Sequence, residues 1–494
     1  MKRSKHYLSN YRVATGNMGV LYPVQLQEVL PGDTFRMATS AFIRLAPMLA
    51  PPMHPVTVRL HHWFVPYRIL WDGWEDFITG GPNNDNADTI PMLEVSASAG
   101  TLADYMGLSK KGAAENPLSV SALPFRAYNM IWNNFYRDQD LQSEVGLDDV
   151  DLLNVAWRKD YFTAARPWQQ KGPDISLPIG NEAPLKYLTG IAPGLVGSGG
   201  KEVVSGVANG SYGNYVKHSD GTVLNDNDKL YADLKGDVTG NGVVADLTAA
   251  TGVTATEFRE FFALQRYAEA RARYGSRYVE YLRYLGIRPS DARLQLPEYL
   301  GGGKSVVSFS EVMQTATDAD KNSPIGTLRG HGVANVRSKP VRRFFEEHGV
   351  IITLMSVVPR SIYATGNERF WFRQDKEDFY QKELQSIGQQ PVWNKEIYAD
   401  GSPSDDEIFG YSDRYSEYTR CMSKISGDMK TAKANFWHFA RDFAARPNLN
   451  ENFIKCIPTK RVFADYTEDA MQIIVNNNVV ARRMVKSVSV GRLL

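Results

Sequence analysis

Between residues 56 and 65 the side chains alternate. Val56, Val58, Leu60, His62 and Phe64 would share one face of an extended strand, and Thr57, Arg59, His61, Trp63 and Val65 the other. The adjacent histidines would then point to opposite sides of a sheet, without the convergent geometry that a shared metal ion needs. Pro66 has no amide proton to continue a ladder, and Leu70, Trp71, Trp74, Phe77 and Ile78 follow at helical spacing. The pattern predicts a strand that turns into a short amphipathic helix.

Further extended runs are predicted over residues 24–30, 34–45, 350–358, 470–475 and 479–490, with Pro31-Gly32-Asp33 as a turn between the first two. The period changes over residues 254–286. Thr254 and Glu257 suit a capping box, and Phe258, Phe261, Phe262, Gln265 and Ala268 form a helical stripe that Gly275 can break or kink. Strands therefore cluster near both ends, with helical and irregular blocks between them.

Residues 194–255 depart from both periods. They hold 12 glycines, no Phe, Trp or Arg, and four lysines against seven acids, a net charge of −3. Without large apolar side chains this segment cannot build a core of its own. It reads as a surface-exposed, glycine-rich insertion, in which recurring Val and Tyr suggest some β order.

Charge and composition narrow the function. The 494 residues carry 56 Lys and Arg against 55 Asp and Glu, so a formal charge of +1 gives the chain little overall pull on a polyanion. Any nucleic-acid contact must be local or helped by a partner. Two cysteines, Cys421 and Cys456, argue against a disulfide scaffold and fit a reducing compartment. The basic start, MKRSKHYLSNYR, has no apolar run behind it, so it reads as a free arm and not a secretory signal. No apolar run approaches the roughly 20 residues of a membrane span.

Several patterns imitate enzyme motifs and fail. In Leu300-Gly-Gly-Gly-Lys-Ser305 a phosphate loop would need glycine where Glu298 stands, and a calcium loop starting at Asp237 would close on Thr248 instead of an acid. Cys421 and His438 sit in no recognisable nucleophile elbow, and Glu346, Glu347, Asp375, Glu377 and Asp378 alternate with basic residues as a solvated or interfacial face would. No catalytic constellation, cofactor site or metal site emerges.

Seven blocks taken in order resemble the major capsid proteins of the Microviridae, the small icosahedral single-stranded DNA phages, and most nearly the gokushovirus branch. They are VLPGDTFRM with Ile43-Arg-Leu-Ala-Pro47; HHWFVPYRILWDGWEDFITG; LPFRAYNMIWNNFYRDQDLQ; Asp160-Tyr-Phe-Thr leading to Gln170-Lys-Gly-Pro-Asp174; GSRYVEYLRYLGIRPSDARLQLPEYLGGGKS; GVIITLMSVVPRSIYA; and Phe409-Gly-Tyr411 through Tyr418. The resemblance implies a mainly β fold, an eight-stranded antiparallel jelly roll of the viral capsid type with long helical and loop insertions. It also implies a structural protein that assembles as 60 copies into a T=1 shell around circular single-stranded DNA. A small basic DNA-binding protein, a minor spike or pilot protein and a host surface receptor would be its partners. The shell would be made and assembled in the bacterial host cytoplasm.

On this reading residues 1–20 form an interior arm and residues 21–494 a single capsid domain, with residues 194–255 as its outer insertion, used in host attachment. Lys2, Arg3, Lys5, His6 and Arg12 would lie near phosphate, with Tyr7 and Tyr11 available for base stacking. The 25 Tyr, 22 Phe and 9 Trp agree with extensive buried interfaces, where aromatic side chains and Arg serve as anchors. A carbohydrate-active β-sandwich would need a convergent carboxylate pair that no motif supplies, and a free-standing DNA-binding protein is disfavoured by the near-zero net charge.

Overall fold

A computed structural model describes residues 3–81, 87–109, 117–173, 255–275, 277–315, 326–385 and 387–485, together with short strands between residues 185 and 245. The chain divides into two compact units, Met1–Lys171 with Glu269–Leu494, and Gly172–Ala268.

Among the described residues the two principal sheets of the first unit hold eleven strands. In chain order they are β1 (Ser4–Tyr7), β2 (Asn10–Gly16), β3 (Tyr22–Val29), β4 (Thr34–Leu45), β5 (Val56–Pro66) and β6 (Glu298–Val306). Then come β7 (Ser308–Met313), β8 (Leu328–Arg337), β9 (Val341–Phe344), β10 (Gly349–Pro359) and β11 (Met471–Arg483). One antiparallel sheet has the order β1-β11-β4-β8-β7, with β2 also on β11 and β9 also on β4; the other has the order β6-β5-β10-β3. The Pro31-Gly32-Asp33 turn carries the chain from one sheet to the other, with Gly32 at φ 83°.

The sheets share a core. Ala41, Ile43 and Leu45 of β4 and Ile473 and Val475 of β11 pack with Val58 and Leu60 of β5 and Met355 and Val357 of β10. Toward the other end of the strands Phe35, Met37, Phe64, Ile351 and Val479 form a second cluster. A polar seam lies between the clusters. Thr39 Oγ1 donates to Asn477 Oδ1 at 2.9 Å, Thr353 Oγ1 donates to Gln25 Oε1 at 3.0 Å, and His62 Nδ1 lies 2.8 Å from Thr353 Oγ1. All five side chains are buried, so each hydrogen bond offsets a desolvation cost and couples the registers of the strands.

The alternation of β5 is as the sequence predicts. His62 enters the seam, whereas His61 emerges on the far side of the four-stranded sheet, 2.7 Å from the Tyr136 hydroxyl. There Trp63 packs against Phe135 and Tyr299, with ring centroids 4.2 and 5.0 Å apart. The chain after Pro66 makes the short helices Tyr67–Ile69 and Trp74–Thr79, and Trp63, Tyr67 and Trp74 join Phe125, Tyr128 and Ile131 of helix Leu123–Ile131 in a third core.

Two expectations change, and one stretch gains an assignment. The basic start is no free arm: β1 and β2 both pair with β11, whose backbone edge they complete. The two runs expected at residues 470–475 and 479–490 are one strand as far as Arg483, because Asn477 in the polar middle finds hydrogen-bond partners in Thr39, Asn10 and the Val24 carbonyl; residues 486–490 lie outside the described set. The GGGKS stretch is strand β6. A Cβ on Gly302 or Gly303 would come within 2.1 Å of the Leu60 carbonyl oxygen or 2.3 Å of the Arg337 carbonyl oxygen, so these glycines permit close strand approach.

Helix Ala255–Tyr274 ends before Gly275 at φ 90°, and Tyr278–Tyr284 resumes the helical path, the break that Gly275 suggests. Thr254, the expected cap, lies outside the described residues, as do Asp237 and Thr248. In the second unit Tyr215–His218, Glu202–Gly206, Leu195–Val196 and Tyr231–Ala232 pair in that order as a four-stranded sheet, and Leu185–Tyr187 pairs with Val243–Ala245. The insertion therefore contains the β order that its Val and Tyr suggest.

Candidate nucleic-acid interface

Phe35, Met37, Ala41, Ile43 and Leu45 of β4 point into the core, which turns Arg36, Phe42 and Arg44 out. Strand register extends this face across the seven-stranded sheet. Arg36 stands opposite Arg342 and Val480, Phe42 opposite Asn335 and Ile474, and Arg44 opposite Gln472. Lys5 is paired with Arg482, Tyr11 with Asn476 and Val13 with Ile474. Arg337 completes the cationic set beside Ser40.

No outward strand position on this face among the described residues is Asp or Glu; Asp469, just before β11, accepts hydrogen bonds from Thr15 and Asn17. Lys5, Arg36, Arg44, Arg337, Arg342 and Arg482 are all exposed, and none has a carboxylate partner among the described residues. Their fields add across one surface, so a chain of nearly zero net charge presents a strongly positive patch. Tyr7 and Tyr11 are each 73% exposed on it, and Phe42 and Phe344 lie half exposed nearby. Cations for phosphate, flat rings for stacking and amides at Asn335, Asn476 and Asn478 are the components of a surface that holds single-stranded nucleic acid.

The residues singled out in the amino-terminal segment divide. Lys5 and Tyr7 lie together on the face, with the ammonium 4.6 Å from the ring centroid, and Tyr11 joins them on β2. Arg3 reaches the rim, donating to Thr34 Oγ1 at 3.2 Å and lying 5.1 Å from the Phe344 centroid. His6 turns its Nε2 to the Val485 carbonyl at 2.8 Å. Arg12 points the other way and is committed to backbone carbonyls of Pro23, Tyr105 and Met106, where burial pulls its pKa below the usual guanidinium range. It is a structural arginine. Lys2 lies outside the described residues.

Of the six cations of the face all but Lys5 escaped the sequence reading, although the even spacing of Arg36, Phe42 and Arg44 within Thr34–Leu45 was visible. What was missing was the register that brings Arg342 and Arg482 beside Arg36 and Thr34 from distant parts of the chain.

Among the described residues no catalytic arrangement competes with this surface. His438 has both ring nitrogens engaged, Nε2 with the Met429 carbonyl and Nδ1 with the Ala440 amide and the Arg461 guanidinium, so it offers Cys421 no free base. Among the described residues no cluster of three or more His, Cys, Asp or Glu is placed to hold a metal ion, and no helix is long and apolar enough to cross a membrane.

A β-rich subunit with a basic, aromatic sheet face fits the class of structural shell proteins. Comparison with known proteins fixes the family: residues 1–491 match the family described as Capsid protein (F protein), and the chain belongs to it. It is 34% identical to Capsid protein VP1 of Bdellovibrio phage phiMH2K over 88% of this chain and 84% of that one. Identity to Capsid protein VP1 of Chlamydia phage 1 is 32%, covering 92% of this chain and 89% of the relative, and to that of Spiroplasma virus 4 it is 30%, covering 92% and 87%. The Microviridae resemblance of the seven blocks is thus confirmed over the whole chain. The protein is a structural component of a phage capsid, not an enzyme, and its place is the virion.

Proposed function

We propose that 60 copies of this chain form a T=1 icosahedral shell around circular single-stranded DNA, with the outer face of the seven-stranded sheet turned toward the genome. The observation that carries this reading is the absence of carboxylates from the described strand positions of that face, together with its unpaired Lys5, Arg36, Arg44, Arg337, Arg342 and Arg482. The eight-stranded jelly roll implied by the family is the reading that best fits two antiparallel sheets over a common core, with β1, β2 and β9 as additions to it. Residues 194–255, acidic and free of arginine, suit a surface away from DNA, and host attachment is their proposed role. A small basic protein inside the shell and a minor spike or pilot protein complete the virion, which assembles in the bacterial cytoplasm.

Charge reversal tests the sheet face. Arg36→Glu with Arg44→Glu leaves the core side of β4 untouched, so subunits should still fold and assemble. Packaged DNA per particle should drop several-fold, and the retained DNA should be released at lower salt, because each lost phosphate contact removes counterion release from the binding free energy. Particles of the variant with unchanged DNA content and salt stability would refute the assignment.

A further inference from the structure

A second cationic cavity is lined by residues outside the seven-stranded sheet. Arg158, Arg360 and Arg420, from three separate segments, line a cavity of about 380 Å3 together with Ser361. Asp160 is the one carboxylate among its described lining residues, and it is already engaged. Its Oδ1 accepts from the Phe162 and Thr163 amides at 3.0 and 2.8 Å, and its Oδ2 from the Tyr363 hydroxyl at 2.8 Å. Lys159 is likewise held by Asp138 and the Thr163 carbonyl. Arg420 donates one N–H to the Asp160 carbonyl at 3.0 Å, while the Arg158 and Arg360 guanidinium groups have no carboxylate partner among the described residues. The Ser361 hydroxyl oxygen is buried and has no hydrogen-bond partner there.

Like charges gathered around one concavity repel, and a buried hydroxyl without a partner is costly; an oxyanion relieves both. Guanidinium forks match phosphate in shape as well as charge. The cavity also shares Arg158 and Lys159 with a wider cleft of about 840 Å3 on the outer side of the four-stranded sheet. Phe135 and Tyr299 are exposed in that cleft, both packed against Trp63; Arg59, Arg137 and Arg283 line it with Asp138 and Asp291, of which Asp138 is held by Lys159 and Arg166, and Arg137 is paired with Glu144. A phosphate pocket beside exposed flat rings has the two parts that a nucleotide requires.

We infer that these adjoining cavities bind a nucleotide, with its phosphate among Arg158, Arg360, Arg420 and Ser361 and its base against Phe135 and Tyr299. The ligand is either a free nucleotide or one residue of a single strand. The inference does not depend on which side of the sandwich meets the packaged genome.

The test is titration of the full-length subunit with AMP, inorganic phosphate and a short oligo(dA), followed by calorimetry and tryptophan fluorescence. AMP should bind, and Arg158→Ala with Arg360→Ala should weaken it at least tenfold while leaving the thermal midpoint near that of the parent, since both side chains are exposed. Arg158→Lys with Arg360→Lys, which keeps the charges and loses the forks, should give an intermediate loss. Tyr299→Ser should weaken AMP and leave inorganic phosphate unchanged. Oligo(dA) binding with the same dependence on Arg158 and Arg360 identifies a strand as the ligand, and its exclusion identifies a free nucleotide. Failure of AMP to bind, phosphate binding without AMP, or AMP binding that survives the double alanine variant and disappears in Arg36→Ala with Arg44→Ala would each overturn the inference.

Discussion

His62 shows how one side chain ties sequence to stability. Burial pulls its pKa down to about 4, with the neighbouring His61 a smaller influence in the same direction, so the ring is neutral in the folded chain at neutral pH. As neutral imidazole it donates from Nδ1 to Thr353, whose hydroxyl in turn donates to Gln25 Oε1. His54 and His61 are pulled down to about 4 as well, mainly by burial. An unfolded chain protonates these rings below about pH 6.5, and the folded one resists until about pH 4. Their contribution is therefore fully present above pH 6.5 and declines as pH falls toward 4. Thermal melts of the subunit should show the midpoint dropping by several degrees over that range, and His62→Gln should flatten the slope. A wild-type midpoint that stays level from pH 6.5 to 4.5 would contradict this account. The facing of His61 and His62 was legible from alternation alone. The seam was not, because Gln25, Thr39, Thr353 and Asn477 meet only through tertiary pairing.

At the scale of elements, strands β4, β5 and β10 stand close to their sequence expectations because apolar residues hold one register against a buried face. β6 was hidden, since its glycines imitate a phosphate loop and its value lies in letting β5 and the β8–β9 connection approach. β1 and β2 were hidden for another reason: short, polar edge strands carry little pattern of their own and are fixed by β11. The insertion is the element whose removal is most informative. Residues 172–268 form a separate compact unit, and residues 194–255 lie within it, so deleting the latter should leave the subunit soluble with a thermal midpoint within a few degrees of the parent. Attachment of particles to host cells should fall at least tenfold. Insoluble subunit, or normal attachment, would remove host recognition from the account.

For the whole molecule, charge sets the requirement for a partner. A formal charge of +1 per chain, multiplied over about sixty subunits, gives about sixty net positive charges, against one negative charge per encapsidated nucleotide in a genome on the order of thousands. The sheet face concentrates cations without changing that total. Mass spectrometry of DNA-filled particles should find a short Lys- and Arg-rich polypeptide beside this chain, and full particles without one would assign neutralisation to small cations. The family was legible in seven ordered blocks, whereas the genome-facing surface required strand register, since its cations come from β1, β4, β8, β9 and β11. The most direct test of the central claim is an electron cryomicroscopy reconstruction of purified, DNA-filled particles. It should show a shell of 60 copies of this chain with Arg36, Phe42, Arg44 and Arg482 lining the interior against nucleic-acid density. A shell made of another protein, or this sheet face turned to the outside, would contradict it.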